Sequence, residues 1–306
     1  MNALVFAERI IRPGAIRSRS EALAAQEPLV IMGRGKSGTR LLAWACQELG
    51  FALGATDRLQ TGDLDDRRFL RVVKWIARRN FSHPNSDRNS NPNSPAGLRR
   101  FDVLCFQREV HRVWQRLSQS AEARQGWGWK WPETYLILPY VHATFPRARF
   151  VHLVRDGRDL AFKRHLTDDP RRALGKALLT RLGARDQPHH LQAARSWQFQ
   201  VEQYRAYAER IPPAQRMETT YETLCRDAEG EMARIADFLQ VPFSEACRNY
   251  VSTHFDKSLI GAWRAEDATR VAEVEAVIGD TLTALGYALA AHPAAESTRR
   301  APDGNL

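Results

Sequence analysis

"PLVIMGRGKSGTRLLAWACQELGF", residues 28–51, decides the fold. It opens on a short apolar run, "PLVIM" (28–32), the pattern of a strand buried on both faces. A glycine-rich basic turn follows: Gly33, Arg34, Gly35, Lys36, Ser37, Gly38, Thr39, Arg40. From Thr39 the apolar residues take helical spacing. Leu41, Leu42, Ala45, Cys46 and Leu49 share one face, and Gly50 supplies a stop. Strand, glycine turn and helix N-terminus make a phosphate cradle. Glycines let the backbone curl, successive N–H groups point inward, and the helix directs its positive end at the anion.

The register of the lysine narrows which phosphate compound fits. In the ATP/GTP loop G-x-x-x-x-G-K-[ST], lysine follows the second glycine. Gly33 and Gly38 have that spacing, but Thr39 stands where lysine belongs. The "GKS" of Gly35, Lys36 and Ser37 would need glycine at position 30, which is Val30. The ATP and GTP reading fails on that register. Lys36 instead sits inside the loop, able to reach a charge that bridges a bound phosphate and the group transferred from it. The competing reading is a strand-to-helix turn with incidental glycines.

Outward from this stretch, "WGWK" (127–130), "ARFVHLVR" (148–155) and "RMETTY" (216–221) read as further strands. Between them lie helical patterns. "DLDDRRFLRVVKWIARR" follows residue 62, with Asp65 and Asp66 as caps. Others cover 101–117, 190–210, 229–239 and 271–286, and a helix starts near Arg158 or Asp159. The Asn/Ser/Pro segment at 80–97 cannot bury apolar surface and reads as a mobile loop. Residues 1–27 read as an N-terminal arm, 28–290 as one domain with the loop near 80–100, and 291–306 as a flexible tail. Alternating strands and helices predict an α/β fold of three layers, a central mostly parallel sheet flanked by helices. Ligands in such sheets bind beyond the carboxyl ends of the strands. The loops at 33–40 and 155–163 leave strand ends rich in glycine and basic residues.

Composition fits a globular chain: 306 residues, 43% hydrophobic and 26% charged. The formal net charge of +10 favours anionic partners: nucleic acid, anionic membrane, or phosphorylated and sulfated small molecules. Cys46, Cys105, Cys225 and Cys247 lie far apart, without metal spacing, and read as buried free thiols. No apolar stretch approaches a membrane span, and the N-terminal run is too short for a signal peptide. The expectation is a soluble, cytoplasmic protein without a metal.

With these motifs in order, the chain resembles the PAPS-dependent sulfotransferases. "GKSGTRLL" is similar to the family's 5′-phosphosulfate loop, and "ARFVHLVRDGRDLAFK" to its 3′-phosphate segment. "WKWPETYLILPYVHATFP", "YETL" (221–224) and "IGDTLTALGY" (278–287) continue the likeness to about residue 290. The resemblance implies a P-loop-like fold and 3′-phosphoadenosine 5′-phosphosulfate (PAPS) as sulfonate donor, with 3′-phosphoadenosine 5′-phosphate (PAP) as product. It implies that Lys36 contacts the 5′-phosphate and the bridging oxygen. Arg34, Gly35, Ser37, Gly38, Thr39 and Arg40 complete the 5′-phosphate loop, with N–H groups from Ser37 to Arg40 and the hydroxyls of Ser37 and Thr39 holding the phosphate. Arg155 would bind the 3′-phosphate, where a guanidinium suits bidentate geometry. Where the family usually has serine on that phosphate, this chain has Lys163. Gly157 replaces a proline, which loosens the turn, and Leu41 replaces a tryptophan that stacks on adenine in some members. Trp263 either takes over adenine or belongs to the core.

Transfer needs positive charge on the leaving phosphate and a base for the acceptor proton. The resemblance assigns charge to Lys36 and Lys130. The histidine that serves small-phenol members is absent, since position 132 is Pro132. Asp65 stands where other branches carry a glutamate base, and it either takes the proton or caps the following helix. Glu133 and His165 are the other candidates. By the same resemblance, the carboxylate pattern implies a carbohydrate or glycoconjugate acceptor, and no nucleic acid is expected as partner. The alternatives are an ATP-dependent nucleotide or small-molecule kinase, a nucleic-acid-binding protein, and a PAPS-fold protein without activity.

Overall fold

β1 (Leu29–Gly33) is buried at every residue and lies in the middle of a five-stranded sheet. β2 (Phe51–Ala52), β3 (Gly126–Lys130), β1, β4 (Arg149–Val154) and β5 (Arg216–Thr220) follow one another across it, and all pairs are parallel. Ile31 stands beside Lys130 and Gly33 beside Leu153, so the loops leaving β1, β3 and β4 emerge together at one edge. The computed structural model describes residues 13–54, 62–82 and 98–290. Residues 1–12, most of the loop expected at 80–100, and the tail at 291–306 lie outside the described residues.

Side chains alternate across the sheet as period-two geometry requires. Val30, Met32, Trp129 and Phe150 face a core shared with α1 (Pro13–Ala24), α3 (Arg67–Ser82), α4 (Arg100–Leu117) and α5 (Leu138–Thr144). α7 (Ala173–Arg181) and α8 (His189–Ala208) close that layer. Leu29, Ile31, Val151 and Leu153 face the opposite layer, built by α2 (Thr39–Glu48), α9 (Tyr221–Arg226), α10 (Ala228–Leu239) and α11 (Glu245–His254). Val154 packs into a third cluster with α6 (Gly157–Ala161), α8 and α12 (Ala268–Ala284). This is the expected three-layer α/β architecture. The four expected strands and the seven expected helices are present, most within two residues of the expected bounds. The helix after residue 62 begins at Arg67, directly after the expected cap Asp66, and the last begins earlier than expected, at Ala268.

The sequence reading missed β2, α7, α9 and α11. β2 is only a two-residue strand, too short to show a period. Gly157 does not loosen its turn. A Cβ there would overlap Trp197 and Ile278, so glycine lets α6 press against α8 and α12. No described helix is long and apolar enough to cross a membrane.

Candidate active site

The turn between β1 and α2 is built from two left-handed residues. Gly38 has φ 94° and its Cα lies against the Tyr221 ring, where a Cβ would overlap. Lys36 has φ 76°, an uncommon conformation for a residue with a side chain. Such strain costs about 1 kcal/mol or more and persists where the surroundings impose it. Here the turn is closed by Ser37 N–H donating to the Arg34 carbonyl at 3.1 Å. Gly35 rests on the His165 imidazole, with no room for a Cβ.

This turn forms one wall of a cavity of about 430 Å³ at the carboxyl edge of the sheet. Gly35, Lys36, Gly38, Thr39, Arg40 and Leu41 line it from the first loop. The loop after β4 adds Arg155, Lys163 and His165, the end of β3 adds Lys130 and Pro132, and Asp63, Tyr221 and Leu259 complete it. Five cations therefore face one carboxylate, Asp63, which accepts a short hydrogen bond from Lys130 Nζ. That excess suits a polyanion. Burial and the neighbouring Arg155 push the Lys163 ammonium below its ordinary range.

Arg155 is fixed before any ligand arrives. Asp159 Oδ2 accepts from its Nε at 3.2 Å and its Nη2 at 2.9 Å, and its guanidinium lies 4.2 Å over the Tyr221 ring. Asp159 also accepts from the backbone N–H of Gly261 and Trp263, so the segment after α11 is tied to the loop after β4. Trp263 is 9% exposed, with the guanidinium groups of Arg158 and Arg264 4.0 and 4.7 Å from its ring centre, and it is not on the cavity wall. Leu41, Leu259 and Tyr221 are the apolar faces the cavity offers to an adenine.

Behind the wall lies a buried polar cluster. Arg34 is 1% exposed and ion-paired with Asp168, and it donates to the carbonyls of Gly35 and Lys163 at 3.0 Å each. One guanidinium thus fastens the first loop to the second. Burial pushes the Asp168 carboxyl up, but Arg34, His189 and the His165 backbone outweigh it and hold it low. His165 Nδ1 meets Thr167 Oγ1 at 3.1 Å, and its Nε2 lies 3.1 Å from Glu133 Oε1. That approach is off the line of a hydrogen bond, leaving both Glu133 oxygens unpartnered among the described residues. Burial, then the charge of Asp63, pushes the Glu133 carboxyl up to about 8. Burial and Arg34 push His165 down to about 3.

A sequence model described as the sulfotransferase family matches residues 28–245. The chain belongs to the sulfotransferase family. It is a PAPS-dependent enzyme, and the glycine-built, cation-lined cavity fits that donor. Solved structures share the fold of this sulfotransferase. The sulfotransferase domain from the curacin biosynthetic pathway superposes with a TM-score of 0.54 at 16% identity, covering 86% of this chain and 99% of its own. The sulfotransferase domain of the Synechococcus PCC 7002 olefin synthase gives 0.53 at 17% identity, covering 87% and 96%. Sulfotransferase STF9 from Mycobacterium avium gives 0.53 at 15%, covering 90% and 81%. No curated protein matches the chain.

The fold brings Gly35, Lys36, Gly38, Thr39, Arg40, Lys130, Arg155 and Lys163 to one cavity, as the motif reading expects of site residues. Arg34 and Ser37 are buried behind its wall. Asp65 is exposed and outside the cavity, because Asp66 N–H donates to the Leu64 carbonyl at 3.0 Å and the chain turns sharply there. Asp66 is the helix cap, accepting from the N–H groups of Arg68 and Phe69. Asp63, two residues earlier, is the aspartate at the cavity. Leu64, fully buried with its N–H on the Lys130 carbonyl, anchors it there. The Asp-Leu-Asp pattern marks Leu64 as the apolar residue of this stretch, but not which neighbouring aspartate faces the cavity.

Proposed function

We propose that the chain moves sulfonate from PAPS to a hydroxyl of a carbohydrate or glycoconjugate by in-line transfer, with Asp63 as the general base. The observation that carries this reading is the Asp63–Lys130 pair, which lines the same cavity as the glycine-built loop of Lys36. In this reading the loop N–H groups and Lys36 hold the 5′-phosphosulfate, and Arg155 with Lys163 holds the 3′-phosphate. Asp63 removes the acceptor's proton as its oxygen bonds to sulfur. The bond from sulfur to the phosphate oxygen breaks, and PAP leaves with its charge met by Lys36 and Lys130. Fixed cations in a partly enclosed cavity stabilise that charge without reorganisation. A carboxylate base and no histidine at position 132 support an alkyl hydroxyl acceptor of the sugar type. Four free, buried cysteines support a reducing, cytoplasmic setting.

Asp63→Asn and Asp65→Asn separate the roles. Asp63→Asn should lower kcat by at least about 100-fold while PAP still raises the Tm. Asp65→Asn should stay within about twofold of wild type. Full turnover by Asp63→Asn, or its loss in Asp65→Asn with PAP binding intact, would return the base to Asp65.

A further inference from the structure

"YETL" (221–224) and "IGDTLTALGY" (278–287) have no part in the chemistry proposed above. Glu222 and Tyr287, one from each, meet behind Arg155. Glu222 is 5% exposed. Its Oε2 accepts from the Tyr287 hydroxyl at 2.8 Å, and its Oε1 accepts from the Asp156 backbone N–H at 3.0 Å. The carbonyl of that same peptide unit belongs to Arg155. It accepts from Trp197 Nε1 at 2.9 Å, and Trp197 is fully buried. The peptide joining Arg155 to Asp156 is thus held at both polar ends by side chains, one from α9 and one from α8. The sheet ladder ends ahead of it, with Val154 opposite Thr220.

The direction in which a side chain leaves its backbone follows from the peptide planes around its Cα. Holding this peptide therefore aims the Arg155 side chain. Asp159 holds the far end of that side chain, and Glu222 holds its root. Glu222 also follows Tyr221 directly. The Tyr221 ring lies 4.2 Å from the Arg155 guanidinium, lines the cavity and fills the space beside Gly38. One carboxylate thus registers the guanidinium, the ring against it and the first loop. Arg158 Nη1 donates to the Ala288 carbonyl at 2.9 Å, so the residue after Tyr287 is tied to the same loop. Packing alone does not call for a carboxylate at this place, since an apolar side chain of that size would avoid the cost of burying one.

We propose that Glu222 is a positioning residue for the donor: through the Asp156 N–H it aims the Arg155 guanidinium at the 3′-phosphate, and Tyr287 holds Glu222 in place. It rests on the reading of Arg155 as the 3′-phosphate ligand. The two motifs then share one task, discrimination between nucleotides with and without a 3′-phosphate.

The test compares binding of PAP with binding of adenosine 5′-phosphate, which lacks the 3′-phosphate, by isothermal calorimetry. Wild type should bind PAP at least about tenfold tighter. Glu222→Leu should lose about tenfold in PAP affinity and stay within about twofold for adenosine 5′-phosphate. Glu222→Gln keeps an acceptor for the Asp156 N–H and should retain both affinities within about twofold. Tyr287→Phe removes a single hydroxyl and should lose about threefold for PAP alone; it carries the test where Glu222→Leu does not fold. In an Arg155→Ala background, Glu222→Leu should cost little further PAP affinity, because the side chain it aims is gone. An equal loss for both nucleotides marks a merely structural role and overturns the proposal. A loss in Glu222→Gln as large as in Glu222→Leu, or full additivity with Arg155→Ala, also overturns it. If Arg155→Ala keeps the preference for PAP, the 3′-phosphate reading of Arg155 fails and the proposal with it. If Arg155→Ala abolishes that preference while Glu222→Leu and Tyr287→Phe keep it in full, the reading stands and the proposal fails.

Discussion

Glu133→Gln should make the protein more stable at neutral pH and extend donor binding to higher pH. Glu133 is 1% exposed, both its oxygens lack a hydrogen bond among the described residues, and its carboxyl is pushed up to about 8. The unfolded chain releases this proton near an ordinary glutamate pKa of about 4.3. Between about 4.3 and about 8 the folded chain therefore holds a proton that the unfolded chain has lost. Stability falls as pH rises through that window, by about 1.4 kcal/mol per pH unit. At pH 7 the accumulated cost is on the order of 4 kcal/mol, against about 1 kcal/mol at pH 5. Glutamine keeps the shape and removes the titration. For a chain of this size the variant's Tm should exceed wild type by roughly 5–10 °C at pH 7, and the two should nearly coincide at pH 4.5. Above about 8, ionised Glu133 also adds negative charge close to Lys130 and Asp63. Wild-type affinity for PAP should fall there, and the variant's should not. Thermal unfolding across pH 4.5–9 with PAP titrations reads both effects. A Tm difference that does not change with pH, or an identical alkaline loss of PAP affinity in both proteins, would refute the reasoning.

Asp168→Ala should cost about 3–5 kcal/mol in urea unfolding, because it leaves Arg34 buried and unpaired. Replacing both partners by Met and Leu should recover most of that stability but not PAP affinity, since the two loops lose their tie. Gly38→Ala should destabilise by about 1–3 kcal/mol and weaken PAP at least tenfold, because φ is 94° and the Tyr221 ring occupies the space. Gly183→Ala, also left-handed at φ 64° but with nothing near its Cβ, should cost only about 1–2 kcal/mol and leave PAP binding unchanged.

Much of this molecule was legible in its sequence because its core elements have clear periods. The apolar run of β1 and the β-branched run of β4 placed the two strands whose loops hold most of the cations. The misplaced lysine of "GRGKSGTR" pointed away from ATP before any geometry was known. Asp63 was not legible for a physical reason. "GDLDD" has no regular period, so which aspartate faces the cavity depends on Leu64 entering the core and on the tight turn after it. The Arg34–Asp168 tie was hidden because its partners are distant in sequence, and a basic residue in a phosphate loop reads as a ligand contact. Trp263, the tryptophan weighed for adenine, does not line the cavity, and the guanidinium groups of Arg158 and Arg264 lie over its ring.

The donor assignment is tested most directly by isothermal calorimetry of PAP and of ATP·Mg²⁺ on wild type, Lys36→Ala and Arg155→Ala. The account predicts that PAP binds wild type without metal, that both substitutions weaken it at least tenfold, and that ATP·Mg²⁺ binds far more weakly. Tight ATP·Mg²⁺ binding without PAP binding, or PAP affinity unchanged in Lys36→Ala, would contradict it.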